Sequence, residues 1–435
     1  MLDSFFAARR GRGFTRSMFG LLALGFLALG CSEAGPEESF RAGDYARDGE
    51  EGVTDVGHTP VKTQAISNCW LYATAGWAEA LHARVQGSQI DISETYWTYW
   101  DLFEKIVSGS GDGGELSTYG SISRGADLID KYGFMLEQHF LPSEAGEPRS
   151  ERQAAALATL RASLKSGALS DWRTRRDLNA VRGELDRAFG LPAQTIVMLD
   201  QVFGRSVDRN LRSAPGLMPS AMNIPVFRAE QLAIMQRDPH TGEWAQGSLR
   251  DALGTPAANG TRGGQLAWSA VSYPSESSAR RTFQRAIQRA LHDAQPVVVF
   301  WLVDTNAKDA RGDFVAPPAF PGSQGGHMTL LEDYEIENVP GVGTLPAGQL
   351  EQRPWVLEAA LSDEARIVFF RSKNSWGIPA DDVGETAAGY VDLYLRYLDG
   401  PITTCEKNAD GTMDASRCGP TVPWHGAYLP PGYLY

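Results

Sequence analysis

The chain contains no run of about 20 consecutive apolar residues, so nothing in it reads as a comfortable membrane-spanning helix. Basic residues are in short supply: 40 Lys and Arg face 53 Asp and Glu, for a net charge of -13, and no long basic cluster follows the N-terminal segment. That balance argues against a nucleic-acid partner, because such binders concentrate Lys and Arg to release counterions from the phosphate backbone. Internal repeats and heptad arrays are also missing, which excludes solenoids and coiled coils. Cysteine is limited to four residues, few enough that each needs a reason.

What is present suffices for a well-buried core: 435 residues with 43% hydrophobic content fit one large domain or two ordinary ones. Arg9, Arg10, Arg12 and Arg16 precede an apolar run from Met18 to Leu29 and then Gly30-Cys31, the layout of an export signal spanning residues 1-31. Its end, LALGC, resembles the bacterial lipobox, which implies lipidation of Cys31, although Ala28 stands where that pattern prefers Leu. An ordinary cleaved signal or a signal anchor is the alternative. Ser32, where an Asp would be a retention signal, implies the outer membrane. Residues 32-58 are acidic, Gly-rich and poor in large apolar side chains, the composition of a flexible tether.

Cys405 and Cys418 lie thirteen apart in a polar tail covering 401-435 and are expected to pair, a bridge that persists only in an oxidising compartment. That leaves Cys69 unpaired in the sequence reading, exposed to oxidation and in need of a function.

The order of elements follows from periodicity. Leu71, Ala75, Ala78, Leu81 and Val85 form one helical face from Cys69 onward, and ISETYWTYWDLFEKIV is a second helix. The aromatic residues Tyr96, Trp97 and Trp100 in it are expected in the core by their amphipathic spacing. The stretch SGSGDGGELS is a loop and lacks the carboxylate alternation of a calcium motif. Helical stripes at Leu157, Leu160 and Leu164, then at Leu178, Val181, Leu185 and Phe189, make the block from about 145 to 285 mostly helical. PVVVFWLV is a buried strand, and HMTLLEDYEI, ARIVFFRSKN and GYVDLYLRYL are strand-led segments. The fold class is therefore α+β, with helices early and sheet late.

A thiol at a helix N-terminus is a candidate nucleophile, because the macrodipole lowers its pKa. Cys69 occupies that place. Its partner must be a histidine; His327, after Gly325-Gly326 and opening an apolar strand, is the best of the seven. Asn374, in KNSWG, can accept from the second ring nitrogen, and Trp376 can cover that bond. Gln64, five residues before the thiol, can supply an oxyanion donor beside the Cys69 N-H. Each feature alone has a dull explanation, a core cysteine or a tight turn; the joint pattern is what carries the reading.

VKTQAISNCW, GGHMTLLEDYEI and SKNSWG, in that order, resemble the glutamine-cysteine, histidine and asparagine segments of papain-family cysteine peptidases. DISETYWTYWDLFEKI with GDGGELSTYGSISRGADLIDKYGFMLEQHFLPSE resembles the bleomycin hydrolase and aminopeptidase C branch, and GYVDLYLRYL resembles the family's closing strand. The resemblance implies a papain-like fold over 59-400, with an N-terminal helical subdomain, a C-terminal antiparallel sheet or barrel subdomain and a helical insertion between the cysteine and the histidine. It implies Cys69, His327, Asn374 and Gln64 as catalytic residues, Gly113 and Gly114 lining the cleft, peptide-bond hydrolysis, a peptide or protein substrate, and no metal or organic cofactor. Two departures stand out: the step from Gln64 to Cys69 is five residues where the family has six, and the tail after Leu398 does not resemble the branch's C-terminal arm. The alternatives are a papain-like surface binding module that has lost turnover, and a cysteine-dependent transpeptidase or amidase. Substrate preference, endo- against exopeptidase action and oligomeric state are not read from the sequence.

Overall fold

A computed structural model of the chain describes residues 56-86, 89-110, 114-207, 225-257, 261-377, 389-407 and 413-433. Cys31, the export segment and nearly all of the tether fall outside them.

The first half is helical: α1 (Cys69–Gln86), α2 (Glu94–Val107), α3 (Ile122–Tyr132), α4 (Glu137–Phe140), α5 (Glu151–Ser166), α6 (Leu178–Ala188) and α7 (Ala193–Phe203). Polar side chains start several of them. Ser93, Ser121 and Ser150 accept from the backbone N-H three residues on, and Asp177 caps α6; each cap satisfies a donor that the first helical turn leaves open. Tyr96, Trp97 and Trp100 are fully buried, as their spacing requires, and so are Trp70, Trp77 and Tyr99; Trp100 stacks on Tyr132 at 4.0 Å, and Trp77 meets Trp268 and Tyr428 edge-on.

The expected helical block ends early. Beyond α7 come the hairpin β1 (Ala233–Arg237) and β2 (Trp244–Ser248), the short helix α8 (Leu249–Leu253), the two-residue strands β3 (Thr255–Pro256) and β4 (Arg262–Gly263), and β5 (Ser269–Ser272). Elements of two to five residues are too short to impose a period, which is why the sequence reading extended the helices across them.

Then follow α9 (Ser277–His292), β6 (Val297–Asp304), β7 (Gln324–Val339), β8 (Gly343–Leu345), α10 (Pro354–Ala360), β9 (Arg366–Lys373), β10 (Tyr390–Tyr394), α11 (Leu395–Leu398), β11 (Ile402–Lys407), β12 (Met413–Thr421) and β13 (Trp424–Leu429). The main sheet runs β10-β9-β7-β6-β13-β5, with β8 on β7, and its pairs are antiparallel. The fold is thus α+β, helical in its first half and built on an antiparallel sheet in its second.

Beyond residue 401 only β13 joins this sheet, and β11 and β12 pair as a two-stranded sheet of their own. Cys405 and Cys418 face each other across β11 and β12 and are joined by a disulfide, and β13 then inserts between β6 and β5.

Strand β6 is apolar from Val297 to Val303 because both of its faces are covered. Val298 and Phe300 join Met328, Leu330 and Tyr428 against the helical half, whereas Val297, Val299 and Trp301 face a second core with α9, Leu331 and Phe370. The two cores meet along α1 and β7, and the candidate site lies at one end of that seam.

Candidate active site

The site begins with a helix start. Cys69 is the first residue of α1, where unpaired backbone N-H groups concentrate the positive end of the helix dipole. The chain approaching it is tightly tied: Asn68 N donates to Ile66 O at 2.7 Å, Thr118 Oγ1 to Ser67 O at 3.1 Å, and Trp70 Nε1 to Thr118 O at 3.0 Å. Asn68 itself donates to Thr98 Oγ1 and to Gln153 Oε1, both at 2.9 Å, anchoring the loop to α2 and α5.

The second component is on the sheet. His327 lies on β7 opposite Trp301 of β6, and its side chain is fully buried. Its Nε2 is 2.8 Å from Asn374 Oδ1, just past the end of β9. Ser375 N donates to the same oxygen at 2.8 Å. Two donors converging on one amide atom identify it as the oxygen, so His327 carries its proton on Nε2 and presents the lone pair of Nδ1. That Nδ1 is buried and without a hydrogen-bond partner. The Trp376 indole stacks on the imidazole at 4.6 Å and 14°, and Trp301 meets it edge-on at 5.5 Å. Burial pushes the His327 pKa down to about 4; the Asn374 hydrogen bond opposes this and the Lys308 charge adds to it. The ring is therefore neutral, a base and not an acid, until a negative charge forms beside it.

The same seam packs the helix of one component on the strand of the other. Gly76 of α1 packs so closely on Leu330 that a Cβ there would sit 2.7 Å from Leu330 Cδ1. Counting back from that contact, seven helical residues to Cys69 and three strand residues to His327 each cover about 10 Å. The loop before Cys69 is bonded to the residues after Asn374: Gln64 N donates to Ser375 O at 2.8 Å, and Thr63 pairs with Trp376. These links make the cysteine loop and the asparagine loop one unit.

Gln64 is buried in that unit. Its Oε1 accepts from Ser375 Oγ at 2.7 Å, and its Nε2 donates to Ile66 O at 3.1 Å. One amide N-H is thus committed to the shortened loop, which leaves the other as the only side-chain donor Gln64 has for an oxyanion. Ser375, unremarked in the sequence reading, links Gln64 to Asn374; its place inside KNSWG was the only signal for it.

The Cys69 sulfur departs from the sequence reading. It is disulfide-bonded. As described, the site is therefore in an oxidised state, and its thiolate chemistry requires reduction first.

The glycine pair is only half visible. Gly113 lies outside the described residues. Gly114 has φ +92° and backs onto α5, where a Cβ would come within 3.1 Å of Arg161 O. Among the described residues no group of His, Cys, Asp and Glu could hold a metal ion.

No protein-family model matches the chain, and no curated protein matches it. Among solved structures the chain is similar to PepW from Lactobacillus rhamnosis HN001, at 12% identity and TM-score 0.41, over 92% of this chain and 83% of that one. It is also similar to xylellain, a cysteine protease from Xylella fastidiosa, at 11% identity and TM-score 0.31, over 92% of this chain and 95% of that one. Both overlaps are loose.

Proposed function

We propose that the protein is a thiol-dependent peptidase that becomes active when Cys69 is reduced. The observation that carries this reading is the buried His327-Asn374 pair at 2.8 Å, whose Nδ1 has no hydrogen-bond partner, on the strand against which the helix that Cys69 starts is packed. In the reduced protein Cys69 gives its proton to His327 Nδ1, and the thiolate attacks the peptide carbonyl. The Cys69 N-H and the second amide N-H of Gln64 are the donors available to the oxyanion. The imidazolium returns its proton to the leaving amine, and the neutral ring then takes a proton from water for deacylation. Asn374 holds the tautomer throughout, and Trp376 shields the pair from water.

We also propose that the enzyme acts on peptide or protein substrates at the bacterial cell envelope, attached to the membrane by lipid on Cys31; a lipidated sulfur cannot form a disulfide and Cys405 pairs with Cys418, so the anchored form is the one that carries Cys69 reduced. Its support is the LALGC segment. Fatty-acid labelling that vanishes in Cys31→Ala is the expected result, and labelling that persists would remove the anchor from the account.

A second reading is favoured by the disulfide itself: the Cys69 sulfur is structural and the domain only binds. One assay separates the two. An unfolded protein substrate is incubated with the purified chain, with and without a thiol reductant, alongside Cys69→Ala. Cleavage that needs both the reductant and Cys69 supports the peptidase; no cleavage by the reduced wild type supports the binding module.

A further inference from the structure

The loop joining β6 to β7 is held in one shape by a buried aspartate. Asp304 Oδ1 accepts from Asn306 N at 3.0 Å and Gly322 N at 2.9 Å, and its Oδ2 accepts from Gln324 Nε2 at 2.7 Å. Further along, Asp309 accepts from the backbone of Arg311 and Asp313, and Phe314 N donates to Asp392 O. Between these two fixed points stands Lys308, bridged through its backbone to Phe314. Its side chain is sent back over the site: the Lys308 ammonium sits 4.3 Å from the centre of the Trp376 indole. One face of that indole is already covered by the His327 imidazole, stacked nearly parallel at 4.6 Å. The ammonium therefore occupies the other face, giving a three-layer stack of cation, indole and imidazole.

We propose that Lys308 is a positioning residue for His327, clamping Trp376 onto the imidazole by a cation-π contact and biasing the ring toward its neutral, proton-accepting form. This rests on the peptidase reading for its purpose, but the stack and its electrostatics can be tested without any turnover.

The physical case has two parts. A cation on an indole face is attracted by the ring even at an exposed site, and it restrains a ring that would otherwise pivot away from its neighbour. The charge also acts through the ring. Laid end to end, the two centre distances put the ammonium about 9 Å from the imidazole, where a unit charge shifts a pKa by roughly 0.3 to 1.3 units between aqueous and partly shielded conditions. Among the described residues, the other groups around His327 do not duplicate this. The segment after β9 contributes the neutral Asn374 and Trp376, and β6 contributes Trp301. On the loop itself, Asp304 and Asp309 are turned into backbone bonds and Asp313 pairs with Arg311. Lys308 is the charge that lowers the His327 pKa.

The test is an NMR titration of the His327 imidazole in the disulfide-bonded protein, for wild type, Lys308→Arg, Lys308→Met and Lys308→Glu. Lys308 is exposed, so these changes leave the core alone. The expected order of His327 pKa is wild type and Arg lowest, Met higher by roughly 0.3 to 1.3 units, and Glu higher again. Where a variant unfolds in acid before the ring titrates, exchange of the imidazole C2 hydrogen near neutral pH gives the same ordering. Equal values in all four proteins would overturn the proposal. In the reduced enzyme, the acid limb of kcat/KM moves in the same direction in Met, and Arg restores it. A wild type that cleaves nothing counts against the peptidase reading alone, because the titration still decides the role of Lys308.

Discussion

Replacing Asn374 by Ala probes the candidate site where its geometry is most fully described. The Asn374 oxygen accepts from two buried donors, His327 Nε2 and Ser375 N, both at 2.8 Å. With Asn374 96% and His327 fully buried, water cannot take over either bond at no cost. Each orphaned donor costs about 1 to 3 kcal/mol, so the loss of folding stability is on the order of 2 to 6 kcal/mol. The catalytic effect is separate. An imidazole without its acceptor is free to carry its proton on Nδ1, where it cannot act as base toward Cys69. The orienting bond alone, at about 1 to 3 kcal/mol, corresponds to a 5- to 150-fold loss of kcat/KM. Asn374→Asp keeps the acceptor and adds a charge that raises the His327 pKa, so the expected profile shifts its acid limb upward without the full loss. The assay is kcat/KM of the reduced proteins across pH, with chemical denaturation on the same samples. A folded Asn374→Ala enzyme within twofold of wild type would refute the orienting role.

Other consequences follow from the buried ionisable groups and from packing. Burial raises Glu94 to about 7 and Glu137 to about 8 despite the nearby Lys62, whereas it lowers His58 to about 3 and His292 and His327 to about 4. The carboxylates lend stability that is complete below about pH 4.5 and lost as pH climbs toward 8; the histidines lend stability that is complete above about pH 6.5 and lost toward pH 3 to 4. Denaturation midpoints are therefore expected to peak near pH 6 to 7, and Glu137→Gln should flatten the alkaline arm; an unchanged alkaline slope would show that Glu137 does not hold its proton there. A Cβ on Gly120 would lie 2.3 Å from Trp70, the residue after Cys69, so Gly120→Ala is expected to cost about 1 to 3 kcal/mol and to depress activity by displacing the start of α1. A thermal midpoint equal to wild type would show that the contact relaxes freely. Breaking the Cys405-Cys418 bridge by Ser substitution should cost about 3 kcal/mol, the value for a loop of this length, with the loss read from denaturation midpoints and absent if the reduced wild type is equally stable.

Much of this was legible in the sequence. Long elements announced themselves by period: Leu71, Ala75 and Ala78 for α1, Phe283, Ile287 and Leu291 for α9, and the unbroken VVVFWLV of β6, whose two buried faces explain the lack of alternation. The His327-Asn374 pair was named from residue types and neighbours, and the two residues do meet. What escaped the reading was set by long-range partners or by very short pieces. Nothing local in WHGAYL says that it slots between β6 and β5, strands more than a hundred residues earlier in the chain. Gln64 could be proposed as a donor, yet its commitment to Ile66 O depends on how a loop one residue shorter closes. Lys308 drew no notice because its relevance comes from a loop folded back on Trp376, a contact across some 70 positions. The disulfide on Cys69 cannot be read from cysteine counts alone, since counting does not say which sulfurs meet.

The central claim is that reduction exposes an activated cysteine paired with His327. The most direct measurement is modification of the reduced protein by an epoxide inactivator of cysteine peptidases, followed by intact mass and peptide mapping, in wild type and His327→Ala. The account predicts rapid modification at Cys69 in the wild type, much slower modification in His327→Ala, and loss of peptide cleavage in step with labelling. Cys69 reacting no faster than an ordinary thiol in both proteins, with no peptide cut, would contradict it.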